Sequence, residues 1–193
     1  MPNGRIGLRG ILVVSLLTVW ACARAKPPES AGTVLLERMR QLTQAPALTL
    51  EVVQDALEVT FVKDQQASHE MVTFFVGTPR PGSRFEGLIK LVDCRVPTPQ
   101  NTALAEPFVV VELQDASGEK TTAADRRTTP LLASDVVARF GQPDSFQPSL
   151  PEDPEVSASY IYKIGSRSLW VSLGRQNPDE ARSISIHPLE DVR

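Results

Sequence analysis

Short runs of β-branched and aromatic residues recur along most of this chain, and glycine, proline or polar residues separate them. Such runs are typical of β-strands, and separators of this kind form the turns of antiparallel sheets. The runs in the first half are 59–62, 71–76, 85–94 and 107–113. Those in the second half are 160–164, 169–173 and 183–187. The pattern predicts antiparallel strands in both halves of the chain.

Three other segments space their apolar residues as an amphipathic helix does. The first covers residues 33–44, and the second covers 48–57, where Thr49 is suited to be the N-cap. The third covers 132–140 and ends at Gly141, which is a typical C-cap residue. We expect each of these helices to cover one face of a sheet.

The helices at 48–57 and 132–140 begin with similar apolar spacing, and strand-like runs follow each of them. This similarity suggests an internal repeat. We therefore predict an α+β fold with two tandem units, each a helix with an antiparallel sheet. The first unit would span 33–114, a linker 115–130, and the second unit 131–193.

The first 21 residues have the organisation of a secretory signal peptide. Arg5 and Arg9 precede an apolar run at 11–20, and the small residue Ala21 follows it. The run has roughly ten residues, about half of the ~20 that a membrane-spanning helix needs. We interpret residues 1–21 as a removable export signal.

Cys22 follows this segment directly, in a Val-Trp-Ala-Cys sequence that is similar to a bacterial lipobox. Trp20 departs from the lipobox pattern, and cleavage after Ala23 or Ala25 would instead release a soluble periplasmic protein. Lipidation of Cys22 would make residues 22–32 a tether. The alanine after the cysteine favours the outer membrane, on its periplasmic face.

Charge argues against nucleic-acid binding. The chain has 20 basic and 23 acidic residues among 193, a formal net charge of −3. Loss of Arg5 and Arg9 with the signal would make the mature chain more acidic, and Arg126-Arg127 is the only basic cluster that stands out. Nucleic-acid binding needs a concentrated positive surface, so we exclude that class.

The sequence contains no recognisable catalytic or metal-binding motif. His69 and His187 lie in different predicted units, and neither has a second ligand at metal-binding spacing. Cys94 lies in a strand-like run and is interpreted as a small buried apolar residue. We therefore predict a protein without enzymatic activity, without a metal and without a cofactor.

Two features favour protein binding. The proline-rich segment 142–155 carries Phe146 and Leu150, which are either contact residues for a partner or a small satellite core against the helix. Tyr160 and Tyr162 share one face of a strand, because side chains repeat every two residues. They line either a protein-binding surface or an ordinary contact with the helix.

The segment 132–144, with Gly141, Gln142 and Pro143 after the helix, resembles the SmpA/OmlA (BamE-like) envelope lipoproteins. The resemblance covers 132–187. It implies a small lipid-anchored α+β domain at the outer membrane that binds other envelope proteins and catalyses nothing. Two such units in tandem are also similar in architecture to the secreted β-lactamase inhibitor protein.

These expectations lead to two functional hypotheses. The first is a non-enzymatic bacterial envelope lipoprotein that binds another envelope protein as a scaffold or adaptor. The alternative is a periplasmic inhibitor or immunity protein that blocks a toxin or a hydrolase.

Overall fold

The computed structural model of the protein describes residues 29–101, 106–114, 130–148 and 156–189. The predicted signal peptide, Cys22 and Leu150 lie outside these residues, as does nearly all of the predicted linker. No helix in the described ranges is long and apolar enough to cross a membrane.

Three short helices form where the apolar spacing predicts them: α1 (Ala31–Gln44), α2 (Leu50–Ala56) and α3 (Ala133–Phe140). Thr49 is the N-cap of α2, because its hydroxyl accepts a hydrogen bond from the Val52 backbone N–H at 3.3 Å. Gly141 ends α3 with a φ of +83°, a conformation that glycine adopts without strain. Both capping predictions are confirmed.

In the described part of the chain, eight strands form a single antiparallel sheet with the order β1-β2-β3-β4-β8-β7-β6-β5. Their bounds are β1 Val59–Asp64, β2 Val72–Pro79, β3 Ile89–Pro97, β4 Phe108–Leu113, β5 Ser145–Pro148, β6 Val156–Ile164, β7 Arg167–Gly174 and β8 Ala181–Pro188. The strand predicted at 85–94 begins only at Ile89. Strand β5 falls within the segment that we predicted to be a proline-rich loop.

The prediction of two tandem helix-plus-sheet units is wrong. Strand β4 pairs with β8, with Val109 opposite Ile186 and Val111 opposite Ile184, so strands from both halves belong to one sheet. Helix α1, from the first predicted unit, packs on β6, β7 and β8 of the second. Periodicity identifies strands and helices locally, but it contains no information about which distant strand is a neighbour.

The hydrophobic core lies between one face of this sheet, which we call the covered face, and the three helices. Helix α1 contributes Leu35, Leu36, Met39 and Leu42, which are at most 2% exposed. The sheet contributes alternate residues of the central strands, because successive side chains point to opposite faces. These residues include Val92, Cys94, Val109, Val111, Leu169, Val171, Ile184 and Ile186.

One buried arginine joins distant parts of the chain on the covered face. Arg167 is 2% exposed, and its guanidinium donates to both carboxylate oxygens of Glu106, at 2.6 and 2.9 Å. It also donates to the carbonyls of Thr43 and Ala45, at 3.1 and 2.5 Å. These carbonyls lie at the C-terminal end of α1, where a cation is favoured. Arg167 therefore fixes α1 to the tip of the β6–β7 hairpin.

Candidate functional site

The sheet face opposite the helices, which we call the open face, carries a row of directly opposed residues. Pairing places Phe74 opposite Arg95 and Arg95 opposite Phe108. Ser168 lies opposite His187 and also opposite Lys163. Because β4 and β8 are neighbours, Phe108 and His187 meet, with ring centroids 4.4 Å apart. The row therefore crosses six strands, from β2 to β6.

A groove with a volume of about 790 Å³ lies along this row. Most of its surface is apolar, and aromatic side chains from four different strands contribute to it. Its lining residues are His69, Val72, Phe74, Arg95, Phe108, Ser145, Ile161, Lys163, Ser168, Trp170, His187, Pro188 and Leu189. The volume lies within the range of small-molecule sites, about 300–1,000 Å³.

Arg95 is held between two aromatic rings of the groove. Its guanidinium carbon lies 5.3 Å from the ring centroid of Phe74 and 5.1 Å from that of Phe108. Both distances are within the range of cation–π interactions, which fix the guanidinium plane without using its N–H groups. Within the described residues Arg95 forms no ion pair, so its hydrogen-bond donors are available to a ligand.

His187 lies at the centre of the row. Its ring centroid is 4.4 Å from that of Phe108 and 4.7 Å from that of Trp170, and its Nε2 is 2.8 Å from the Ser185 hydroxyl. Burial, together with a smaller contribution from the charge of Arg95, lowers the pKa of His187 to about 4. The imidazole is therefore neutral at pH 7, and it adds ring surface to the groove rather than charge.

The formal charges in the lining are positive. Arg95 and Lys163 both line the groove, and no carboxylate does. Asp93 lies two residues before Arg95 on the same face of β3; burial raises its pKa, with a contribution from Glu112, while Arg95 opposes the rise. The groove is thus an apolar, cationic surface on a protein whose net charge is negative.

Ser185 and His187 form the kind of contact that a serine nucleophile and its base would need. However, a histidine with a pKa of about 4 is a weak base at neutral pH, since catalytic bases titrate near the working pH. No carboxylate among the described residues is hydrogen-bonded to His187, so nothing there fixes its tautomer. The geometry therefore gives this pair little catalytic capacity.

The two histidines, predicted to lie in different units, line the same groove. The ring of His69 is 6.0 Å from that of Phe74, and its Nδ1 accepts a hydrogen bond from the Met71 backbone N–H at 3.3 Å. Across the described ranges, no group of three or more His, Cys, Asp or Glu side chains is arranged to hold a metal ion.

The predicted binding residues lie elsewhere, at the β5 edge of the sheet. Phe146 on β5 is 59% exposed, and its ring lies 6.1 Å from that of the half-buried Tyr160 on β6. Tyr162 is only 3% exposed, and its ring packs 5.2 Å from that of Phe140 on α3. Tyr162 therefore belongs to the core, because it lies directly opposite the buried Leu169 of β7 and points to the same covered face.

Sequence reasoning missed the groove residues, although one signal for them exists. In β2 the adjacent Phe74 and Phe75 place an aromatic ring on each face of the strand. A strand that is apolar on both faces indicates that both faces are covered or bind something. This signal does not locate the site, because Phe74, Phe108 and Trp170 come together on the same face only through the pairing of their strands.

No protein-family model matches this chain, and no curated protein matches it. Among solved structures, the chain is similar to a DUF4309-family protein (YjgB) from Bacillus subtilis subsp. subtilis str. 168. The TM-score is 0.48 and the sequence identity 10%, over 83% of this chain and 99% of that one. A likeness of this size carries no argument about function. The resemblance to SmpA/OmlA lipoproteins stays a prediction.

Proposed function

We propose that this protein is a non-enzymatic bacterial envelope lipoprotein that binds another envelope protein as a scaffold or adaptor, through the β5 edge of its sheet. The observation that carries the proposal is an edge strand on which an aromatic side chain is exposed. Among the described residues, strand β5 is the last strand of the sheet order, and Phe146 on it is 59% exposed.

An edge strand is a template for a strand from another chain, because its outer backbone groups have no neighbour in the sheet. Pro148 ends β5, and a proline is tolerated at an edge since it cannot donate to a ladder. Main-chain hydrogen bonds would supply affinity, and the rings of Phe146 and Tyr160 would supply an apolar contact on the adjacent surface. Leu150, which lies outside the described residues, is proposed as a further contact.

Site-specific photo-crosslinking tests the binding surface. A photoreactive phenylalanine analogue replaces Phe146 in one variant and Val62 in the other, and the cells are irradiated. Val62 is a matched control, because it is 68% exposed and lies on β1, the opposite edge of the sheet. We expect an adduct with one envelope protein from position 146 and none from position 62.

Equal adducts from both positions, or none from position 146, would contradict binding at β5. The identity of the adduct also decides between the two functional hypotheses. A resident envelope protein supports the scaffold or adaptor role. A toxin or hydrolase whose activity falls when it is bound supports the inhibitor role.

The anchor is tested separately with Cys22→Ala. The expected result is loss of incorporated fatty acid and a shift from the outer-membrane fraction to the soluble periplasmic fraction. If acyl labelling and fractionation of Cys22→Ala matched those of the natural chain, the lipoprotein part of the proposal would be wrong, while binding at β5 would be unaffected.

A further inference from the structure

The groove on the open face is distinct from the β5 edge, and its chemistry points to a different kind of ligand. Most of its uncharged polar side chains are hydrogen-bonded to one another, to a neighbouring side chain or to the backbone. The Trp170 Nε1–H donates to Ser168 Oγ at 2.9 Å, and His187 Nε2 lies 2.8 Å from Ser185 Oγ. The backbone beneath the groove is engaged in the sheet ladders.

Apart from the donors of Arg95 and Lys163, few hydrogen-bonding groups therefore remain for a ligand rich in hydroxyls or amides. Such a ligand would lose hydrogen bonds to water without replacing them, which is costly. An apolar body has no such loss, and it gains from contact with the rings of Phe74, Phe108 and Trp170.

The charge of the groove indicates that the ligand also carries an anionic group. Arg95 and Lys163 line it and no carboxylate does, so an anionic ligand is complementary to it. Arg95 is the better suited of the two cations, because Phe74 and Phe108 hold its planar guanidinium on either side. A guanidinium held in this way can donate two parallel hydrogen bonds to a carboxylate.

The dimensions limit the length of the apolar body. Arg95 lies on β3 and Trp170 on β7, three strand positions apart in the sheet order. Neighbouring strands are about 4.8 Å apart, so this separation is about 14 Å. One acyl chain occupies about 15 Å, half of the hydrocarbon thickness of a bilayer.

We propose that the open-face groove binds a long-chain carboxylate of the fatty-acid class. The carboxylate is bound by the guanidinium of Arg95, and the alkyl chain crosses the rings of Phe108 and His187 to end against Trp170 and Ile161. This site is independent of protein binding at β5.

Titration with dodecanoate, followed by tryptophan fluorescence, tests the proposal. Trp170 in the groove is the reporter, because the other tryptophan of the sequence, Trp20, lies in the predicted export signal and is replaced by phenylalanine wherever that signal is retained. We expect a saturable change in its emission. Dodecanol has the same chain without the charge, and dodecyltrimethylammonium has the opposite charge, so both should bind at least tenfold more weakly than dodecanoate.

Variants locate the carboxylate. Arg95→Met should weaken dodecanoate binding by tenfold or more and leave dodecanol binding unchanged. Arg95→Lys, which keeps the charge but loses the two-donor geometry, should give an intermediate loss. Lys163→Met should change the affinity by less than threefold, because Lys163 lies at the other end of the groove. Arg38→Met on α1 is the matched control and should have no effect.

Three results would overturn the proposal. One is the absence of saturable binding, and another is equal affinity for dodecanoate and dodecanol. The third is unchanged dodecanoate affinity in a folded Arg95→Met protein, with folding checked by its circular dichroism. None of these results bears on the crosslink at Phe146, so failure of this proposal and failure of the proposed function are distinguishable.

Discussion

The two faces of the sheet each carry an arginine, and the two arginines have opposite surroundings. Arg167 on the covered face is 2% exposed, and Glu106 and two backbone carbonyls satisfy its guanidinium. Arg95 on the open face is exposed, and its guanidinium carbon lies 5.3 Å from the ring centroid of Phe74 and 5.1 Å from that of Phe108. The first has its hydrogen-bond partners within the protein, whereas the second has donors left for a ligand.

This difference separates a structural charge from a functional one. A buried ion pair offers little net stability over an apolar pair, but loss of one partner is strongly destabilising. A cation stacked on rings at a surface contributes little to folding. An arginine side chain is therefore expected to have a large effect on stability at the covered face, as Arg167, and a large effect on ligand binding at the open face, as Arg95.

The largest effect on stability is expected from Arg167→Met. It leaves Glu106 without its partner and the carbonyls of Thr43 and Ala45 without donors, so the free energy of unfolding should fall by about 3 kcal/mol. Urea denaturation measures this loss. The double variant Arg167→Met, Glu106→Leu should recover at least half of it. A loss below about 1 kcal/mol for the single variant would show that the ion pair does not hold α1 in place.

The next effect is a pH dependence that His187 causes. Its pKa is 6.5 when unfolded and about 4 when folded, so the unfolded chain binds more protons between these values. The free energy of unfolding should therefore fall as the pH falls from 6.5 to 4. The full shift corresponds to about 3 kcal/mol, and partial exposure of the imidazole reduces this to on the order of 2 kcal/mol, with no contribution from His187 above that range.

Urea denaturation at several pH values gives this slope. His187→Gln should flatten it, and His69→Gln, at the end of the same groove, should retain it. An unchanged slope in His187→Gln would mean that the imidazole is not buried in the groove as described.

A smaller effect on stability is expected from Arg95→Met. Cation–π contacts at exposed sites contribute about 0.5–1 kcal/mol, so the loss should stay near 1 kcal/mol or below. The matched comparison is Arg167→Met under the same conditions. Equal losses in the two variants would remove the distinction between the two faces.

The smallest effect on stability is expected from a comparison of thiols on the two faces. The quantity compared is the reactivity of each thiol with an alkylating reagent. Burial raises the pKa of Cys94 on the covered face to about 12, with a contribution from Asp93. Iodoacetamide at pH 8 should leave Cys94 unmodified in the folded chain, because the thiolate is the reactive form. A cysteine introduced by Val110→Cys on the open face should react, as peptide mass spectrometry will show. Equal labelling at both positions would contradict the assignment of the two faces.

The sequence allowed prediction of the elements better than of their arrangement. The caps at Thr49 and Gly141 and the alternation within each strand are local features, so the helices and most strands could be located. The pairing of β4 with β8 joins residues far apart in the chain, and nothing local indicates it. Strand β5 was missed because Pro148 is atypical of strands away from an edge.

The same limit applies to the sites. Phe146 stands out in the sequence as an apolar residue in a proline-rich segment, and it is exposed; its role in binding stays a prediction. For Tyr162 the sequence left two alternatives open, and it lies in the contact with the helix, because the face that it takes depends on the neighbouring strand. Arg95, Phe108, His187 and Trp170 look unrelated in the sequence. They become one groove only through the register of four paired strands.

A crystal structure of the protein with dodecanoate tests the functional role of the open face most directly. We expect continuous density across β3, β4, β8 and β7, with the carboxylate about 2.8 Å from the Arg95 guanidinium and the chain end against Trp170. Density for dodecanoate only outside the groove, or in the groove with its carboxylate away from Arg95, would contradict it.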